Sequence, residues 1–95
     1  MYKELFHPKI KKDLKKIDKQ VVKEIKEVHL EKIKSDPFKY EELTGDLKGV
    51  YSYHFRKNKV DYRIAYEVVD NEIIYYLMIA KRENFYDLLK GRKWK

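Results

Sequence analysis

Five side chains in the second half of the sequence have the types needed to handle a phosphodiester: His54, Arg56, Arg63, Arg82 and Tyr86. Arginine offers a planar, permanently charged fork of donors that matches phosphate oxygens. Aimed at a phosphoryl centre, such groups stabilise a phosphorane-like transition state without titrating. Histidine ordinarily titrates near neutrality, so His54 could take a proton from a ribose 2′-hydroxyl or give one to a leaving 5′-oxygen. Tyr86, a helical turn past Arg82, could stack on a base or assist proton transfer. Each type also has a plain reading. A lone histidine on a polar strand face can be inert, and Arg63 could pair with Asp61 or Glu67.

What decides between these readings is whether the backbone gathers the side chains. From Tyr51 to Arg56 the sequence has period two: Tyr51, Tyr53 and Phe55 share one face, and Ser52, His54 and Arg56 the other. Lys57-Asn58-Lys59 reads as a turn. In the next strand Tyr62, Ile64, Tyr66 and Val68 oppose Asp61, Arg63, Ala65 and Glu67. Asp70-Asn71 suits a tight hairpin, since both residues tolerate positive φ. Glu72 to Lys81 is apolar on both faces for most of its length, which predicts a central or covered strand. A C-terminal helix then starts at Glu83 or Asn84 and runs to Lys90, where Gly91 stops it, leaving RKWK as a loose basic tail.

Ahead of the strands, YKELF (residues 2–6) can form a short strand, and Pro8 suits a helix start. Ile10, Leu14 and Ile17 recur at helical spacing. Asp18 can cap a second helix, in which Val21, Val22, Ile25, Val28 and Ile33 continue an apolar face until Ser35-Asp36-Pro37 ends it. His29 is expected to be solvated there, and His7 to cap the first helix. Residues 37–49 read as loop. Strand, helix, helix, three strands, helix predicts an α+β fold: an antiparallel sheet packed against an N-terminal helical hairpin, with a short C-terminal helix. The 95 residues make one domain, 1–95.

The net charge of +7 is unevenly placed. Residues 9–34 carry ten lysines against five acids, residues 35–80 six bases against eight acids, and residues 81–95 six bases against two. Such a surplus suits a polyanion or an acidic protein, and also simply keeps a small protein soluble. With no cysteine there is no disulfide framework, thiolate nucleophile or cysteine zinc site. No phosphate-binding glycine loop, nucleophile elbow or metal-ligand spacing occurs, so no cofactor is expected. MYKELFHP lacks the apolar core of a signal peptide, and IIYYLMIA is too short to span a bilayer. A cytoplasmic protein without membrane contact is the expectation.

Several segments together carry a resemblance. HPKIKKDLKKID, the spacing L-x-G-x-L-K-G from Leu43 to Gly49, D-Y-R-I-A-Y-E-V from Asp61 to Val68, and K-R-E-N-F-Y from Lys81 to Tyr86 occur in the order of the RelE/ParE-superfamily toxins of type II toxin–antitoxin modules. The chain resembles the RelE side of that superfamily over nearly its whole length. The resemblance implies a ribosome-dependent endoribonuclease (an mRNA interferase) that cuts mRNA in the ribosomal A site by 2′-hydroxyl attack, without a metal. It implies contacts with ribosomal RNA and mRNA, and a cognate acidic antitoxin in a hetero-oligomer. The family's arginines match Arg56, Arg63 and Arg82, and its late tyrosine matches Tyr86. RelE-type members carry two lysines where this chain has Ser52 and His54, so His54 would replace lysine-based proton transfer. Glu41 lies where some relatives carry a glutamate base. The superfamily also includes ParE-type gyrase inhibitors without nuclease activity, and a catalytically inactive RNA-binding relative is a third reading.

Overall fold

The computed structural model describes residues 2–93, and of Lys93 only the backbone. Alternation in the middle of the chain produces the three long strands β3 (Val50–Lys57), β4 (Val60–Val69) and β5 (Ile73–Lys81), consecutive antiparallel neighbours. Both connections are tight turns with two residues at positive φ, Asn58-Lys59 and Asp70-Asn71. Their left-handed conformations match the twist of the flanking strands. A first strand, β1 (Lys3–Phe6), pairs with β5, and β2 (Glu41–Glu42) pairs with β3, giving the order β1-β5-β4-β3-β2. The β1–β5 pair is parallel and every other pair antiparallel. β2, followed by a single 3₁₀ turn at Gly45–Leu47, lies in the stretch expected to be loop.

One face of the sheet is buried by helices α1 (Ile10–Lys15), α2 (Lys19–Glu24) and α3 (Leu30–Ser35). Asp18 caps α2, its Oδ1 accepting from the Gln20 N–H at 2.8 Å. Ile10, Ile17, Val21, Ile25 and Ile33 pack onto Tyr53, Tyr62, Ile64, Tyr66 and Tyr76. Between α2 and α3 the backbone widens into a π-helical turn, Ile25–His29. That turn advances the phase by about one residue. Val28, expected on the apolar face, is therefore 38% exposed, and His29, expected in solvent, is 6% exposed.

The other face is half covered by α4 (Phe85–Lys93), whose Phe85 and Leu89 pack against Val50, Ala65, Leu77 and Met78. The pairing of β4 with β5 is irregular here: Ala65 pairs with Met78, but Tyr66 with Tyr76. The extra residue, Leu77, is a bulge that lets Leu77 and Met78 join the same apolar cluster.

α4 runs past Gly91, against the expected stop, and the expected loose tail is docked at its first residue. Arg92 reaches Asp13 of α1 with two hydrogen bonds of 2.6 and 2.9 Å, and donates to the Leu77 carbonyl at 2.9 Å. Asp13, itself buried, also accepts from the Ile79 N–H at 3.1 Å. A largely buried ion pair in which both carboxylate oxygens accept from the guanidinium overrides the flexibility of a helical glycine. Trp94 and Lys95 of the expected tail lie outside the described residues. No helix among the described residues is long and apolar enough to cross a membrane.

Candidate functional site

The half of the sheet face that α4 leaves open holds the arginines. His54 on β3 stands directly across the ladder from Arg63 on β4, and Arg63 stands across from Ala80 on β5. Arg56 faces Asp61 in the same way. Past the end of β5, the Arg82 N–H donates to the Asp61 carbonyl at 3.0 Å, which ties the exposed Arg82 to the start of β4. The bulge at Leu77 matters here. It reverses the alternation of β5, so that Ala80, and Arg82 after it, continue on the face of Arg63 rather than that of Tyr76.

Asn84 turns the chain with a positive φ of 54°, and α4 begins at the next residue. Its first turn brings Tyr86 over β4. Arg63 Nη1 donates to the Tyr86 hydroxyl, and the guanidinium carbon lies 5.0 Å from the ring centroid. The pair thus combines a charge-assisted hydrogen bond with a cation–π contact. Arg56 is held loosely, 3.8 Å from Asp61, and both side chains are exposed. A surface pair of this kind contributes little, so Arg56 is free to turn to an incoming anion.

His54 supplies the imidazole of this face. Its Nε2 lies 3.0 Å from Ser52 Oγ and 3.5 Å from Glu41 Oε1. Burial beside the sheet, and then the Arg63 and Arg82 charges, hold its pKa below the ordinary 6.5, with Glu41 and Asp61 pulling the other way. The imidazole is therefore mainly neutral at neutral pH, the form that can accept a proton. Ser52, expected on the open face, is only 2% exposed. It lies between Glu41 of β2 and Ala65 of β4.

The expected residues come together in two contiguous depressions. One, of about 290 Å³, is lined by His54, Arg56, Arg63 and Arg82; the next, of about 390 Å³, shares Arg63 and Arg82 and adds Tyr86. Glu41 joins from β2. His7 does not cap α1 with its side chain: its Nδ1 accepts from the N–H of Lys9, the residue before the helix, at 3.1 Å, while the Ile10 N–H goes to the His7 carbonyl at 2.9 Å. Among the described residues no group of three or more His, Cys, Asp or Glu side chains is arranged to hold a metal ion.

Sequence reasoning missed a buried polar set on the opposite face. His29 Nδ1 lies 2.6 Å from the Tyr53 hydroxyl and its Nε2 2.8 Å from Glu24, while its ring stacks on Phe55 at 3.9 Å. Glu24 also meets Lys57 at 3.0 Å. Burial pushes the Tyr53 phenol up to about 12, so it stays protonated beside the imidazole. No local signal in the sequence marks this set, because a regular helix would turn His29 outward.

Comparison with known proteins agrees with this architecture. The family described as ParE-like toxin of type II bacterial toxin-antitoxin system matches residues 5–90. A free mutant of the Escherichia coli toxin RelE superposes with a TM-score of 0.74 at 20% identity, over 96% of this chain and 92% of that one. The toxin–antitoxin complex RelBE from Mycobacterium tuberculosis matches with 0.71 at 22% identity, over 85% and 98%. The intact Escherichia coli RelBE complex matches with 0.70 at 20%, over 87% and 99%. No curated protein matches the chain by sequence.

Proposed function

Since the chain belongs to the ParE-like toxins of type II bacterial toxin–antitoxin systems, we propose that it acts by cutting mRNA on the ribosome, as a metal-independent endoribonuclease. The observation that carries this reading is a base, a cation and a phenol in one open groove: His54 across from Arg63, and Arg63 bonded to Tyr86. The RelE-like fold supports it.

His54 takes the proton from a ribose 2′-hydroxyl. The 2′-oxygen forms a bond to the adjacent phosphorus as the bond to the 5′-oxygen breaks, leaving a 2′,3′-cyclic phosphate and a 5′-hydroxyl. Arg63 and Arg82 take up the charge gathered on the non-bridging oxygens, and Arg56 orients the phosphate. The Tyr86 hydroxyl supplies the leaving oxygen with its proton. Arg63 favours that transfer, because its hydrogen bond stabilises the phenolate left behind. Lysines of the helical layer hold ribosomal RNA phosphates, and an acidic antitoxin neutralises the toxin in the cytoplasm.

The ParE-like description of the family supplies a second reading, a DNA gyrase poison with no proton transfer of its own. The His54–Arg63–Tyr86 arrangement favours the first, since inhibition by binding has no use for it. The test is induced expression without antitoxin, with mRNA 5′ ends mapped against ribosome position. Cuts inside A-site codons are expected, reduced about 10²–10⁴-fold in a folded His54→Ala protein and also reduced by Arg82→Ala. Growth arrest with intact mRNA and trapped gyrase–DNA complexes would refute the nuclease reading.

A further inference from the structure

β2 is two residues long and pairs only with Tyr51 and Ser52, so beyond Ser52 the outer edge of β3 has no partner strand among the described residues. The chain between α3 and β2 runs past this edge and leaves a recess of about 420 Å³. It is lined by Lys32, Ser35, Lys39, Tyr40, Tyr53 and His54. His54 thus borders two cavities, the arginine cleft on one side and this recess on the other. The function described above assigns nothing to the second.

We propose that the recess is a nucleotide subsite that holds the nucleoside whose 2′-hydroxyl attacks, a statement that rests on the nuclease reading for its polarity. The volume lies within the roughly 300–1,000 Å³ of small-ligand sites. Its aromatic wall is fixed. Tyr40 meets the Tyr53 ring at 4.7 Å and 69°, and the Tyr53 hydroxyl is held by buried His29 at 2.6 Å. A half-buried ring held this way is a stacking platform for a base. Lys39 Nζ lies over the Tyr40 ring, 5.9 Å from its centroid; this exposed side chain swings aside for a stacked base, and with the exposed Lys32 it can then meet a phosphate. Asp36 also lines the recess. Its carboxylate disfavours a bare anion and favours a ligand that brings a donor, which a nucleobase amino group is.

The direction of the strand follows from the proton. The group that takes the 2′-hydroxyl proton must lie beside the attacking ribose. His54 is that group, so the nucleoside on its far side from the arginines is the attacking one. The leaving nucleoside then lies toward Tyr86.

The full-length protein, isotopically labelled, is titrated with adenosine 3′-monophosphate and separately with inorganic phosphate, and its resonances are followed. The nucleotide should move the Tyr40 ring and the Ser35 and Lys39 amides, and phosphate alone should not move the Tyr40 ring. Tyr40→Ala should weaken nucleotide binding by about 5-fold or more, whereas Tyr40→Phe should stay close to the parent. Lys39→Ala, at an exposed position that does not threaten folding, should weaken it as well. Shifts confined to Arg63, Arg82 and Tyr86, or equal shifts with phosphate alone, overturn the subsite. Because this experiment reads binding, its failure is distinct from that of the nuclease reading. Cleavage of ribosome-bound mRNA with no nucleotide at Tyr40 removes the subsite alone. A nucleotide at Tyr40 without any cleavage removes the nuclease reading, and with it the polarity, and leaves a nucleotide site.

Discussion

Replacing Arg92 by methionine should release the C-terminal helix, and with it Tyr86. The side chains of Asp13 and Arg92 are 9% and 13% exposed and closely bonded. Methionine keeps the aliphatic bulk and removes the charge. Asp13 is then left nearly buried with one remaining donor, the Ile79 N–H. Breaking a buried pair on one side costs about 3–5 kcal/mol, because the remaining charge is uncompensated. What else docks α4 is mainly Phe85 and Leu89, both buried to 1% or less. At about 1.5–3 kcal/mol each, these contribute roughly 3–6 kcal/mol. The lost pair is therefore comparable with the whole apolar part of the anchor. The helix should open locally before the sheet does.

Two readouts test this. In urea, Arg92→Met should lose about 3–5 kcal/mol, and hydrogen exchange at residues 85–93 should accelerate well ahead of that in β4 and β5. Adding Asp13→Asn removes the stranded charge and keeps an acceptor for the Ile79 N–H, so it should restore more than half of the loss. A loss under about 1 kcal/mol, the size of an exposed pair, with parental exchange in α4, would refute the argument. So would a double variant no more stable than the single one.

The remaining predictions concern His54 on the open face of the sheet and His29 beneath the helices. His54 titrates below 6.5 in the folded protein, so cleavage should fall as pH drops through a midpoint below that value, and Glu41→Gln should move the midpoint lower by removing a carboxylate that raises it. Since its folded pKa lies below the unfolded one, the unfolded chain binds the proton more readily; the stability His54 contributes is present above pH 6.5 and is lost as pH falls through the folded midpoint. A rate that does not fall as the pH is lowered from 6.5 to the acid limit of the folded protein would exclude His54 as the base. Tyr53→Phe strands the buried His29 Nδ1 and should cost about 1–3 kcal/mol, read as a lower urea midpoint with an unchanged slope. An unaltered midpoint would mean that the imidazole finds another partner.

What the sequence revealed of the site depended on which strands alternate. β3 and β4 bury the tyrosine face along their length and leave the other open around the site, so period two placed His54 and Arg63 on the same open side, and the turn at Asn58-Lys59 set their register. β5 is apolar on both faces, so its phase was invisible. The bulge at Leu77 that sets the side on which Arg82 continues has no signature in IIYYLMIA. In the same way, the π turn that buries His29 replaces the 3.6-residue period with a longer one, and a helical projection misplaces both Val28 and His29. Arg92 was unreadable for a different reason. Its partner Asp13 is 79 residues away, and a glycine beside it looked like a stop.

The two basic ends of the sequence meet at one place, a cavity of about 600 Å³ lined by Lys9 and Lys16 of the first and Lys81 and Arg92 of the second, but the lysines of α2 and α3 lie apart from the sheet arginines. Lysines of residues 9–34 belong to the layer that covers the tyrosine face, while Arg63 and Arg82 stand on the other side of the sheet. A polyanion reaching from the lysines of α2 and α3 to Arg63 and Arg82 must pass around an edge. At the β1 edge it would meet Leu5 and Phe6, which are exposed and apolar. At the β3 edge it would meet Lys32 and Lys39, then His54, then the arginines. The short β2 keeps that second route open. Had it run on past Ser52, a strand would occupy the space where the helical lysines and the sheet arginines come within reach of a single polyanionic strand. The shortness of β2 thus links the charge pattern to the site, and the imidazole stands where the two sets of charge meet.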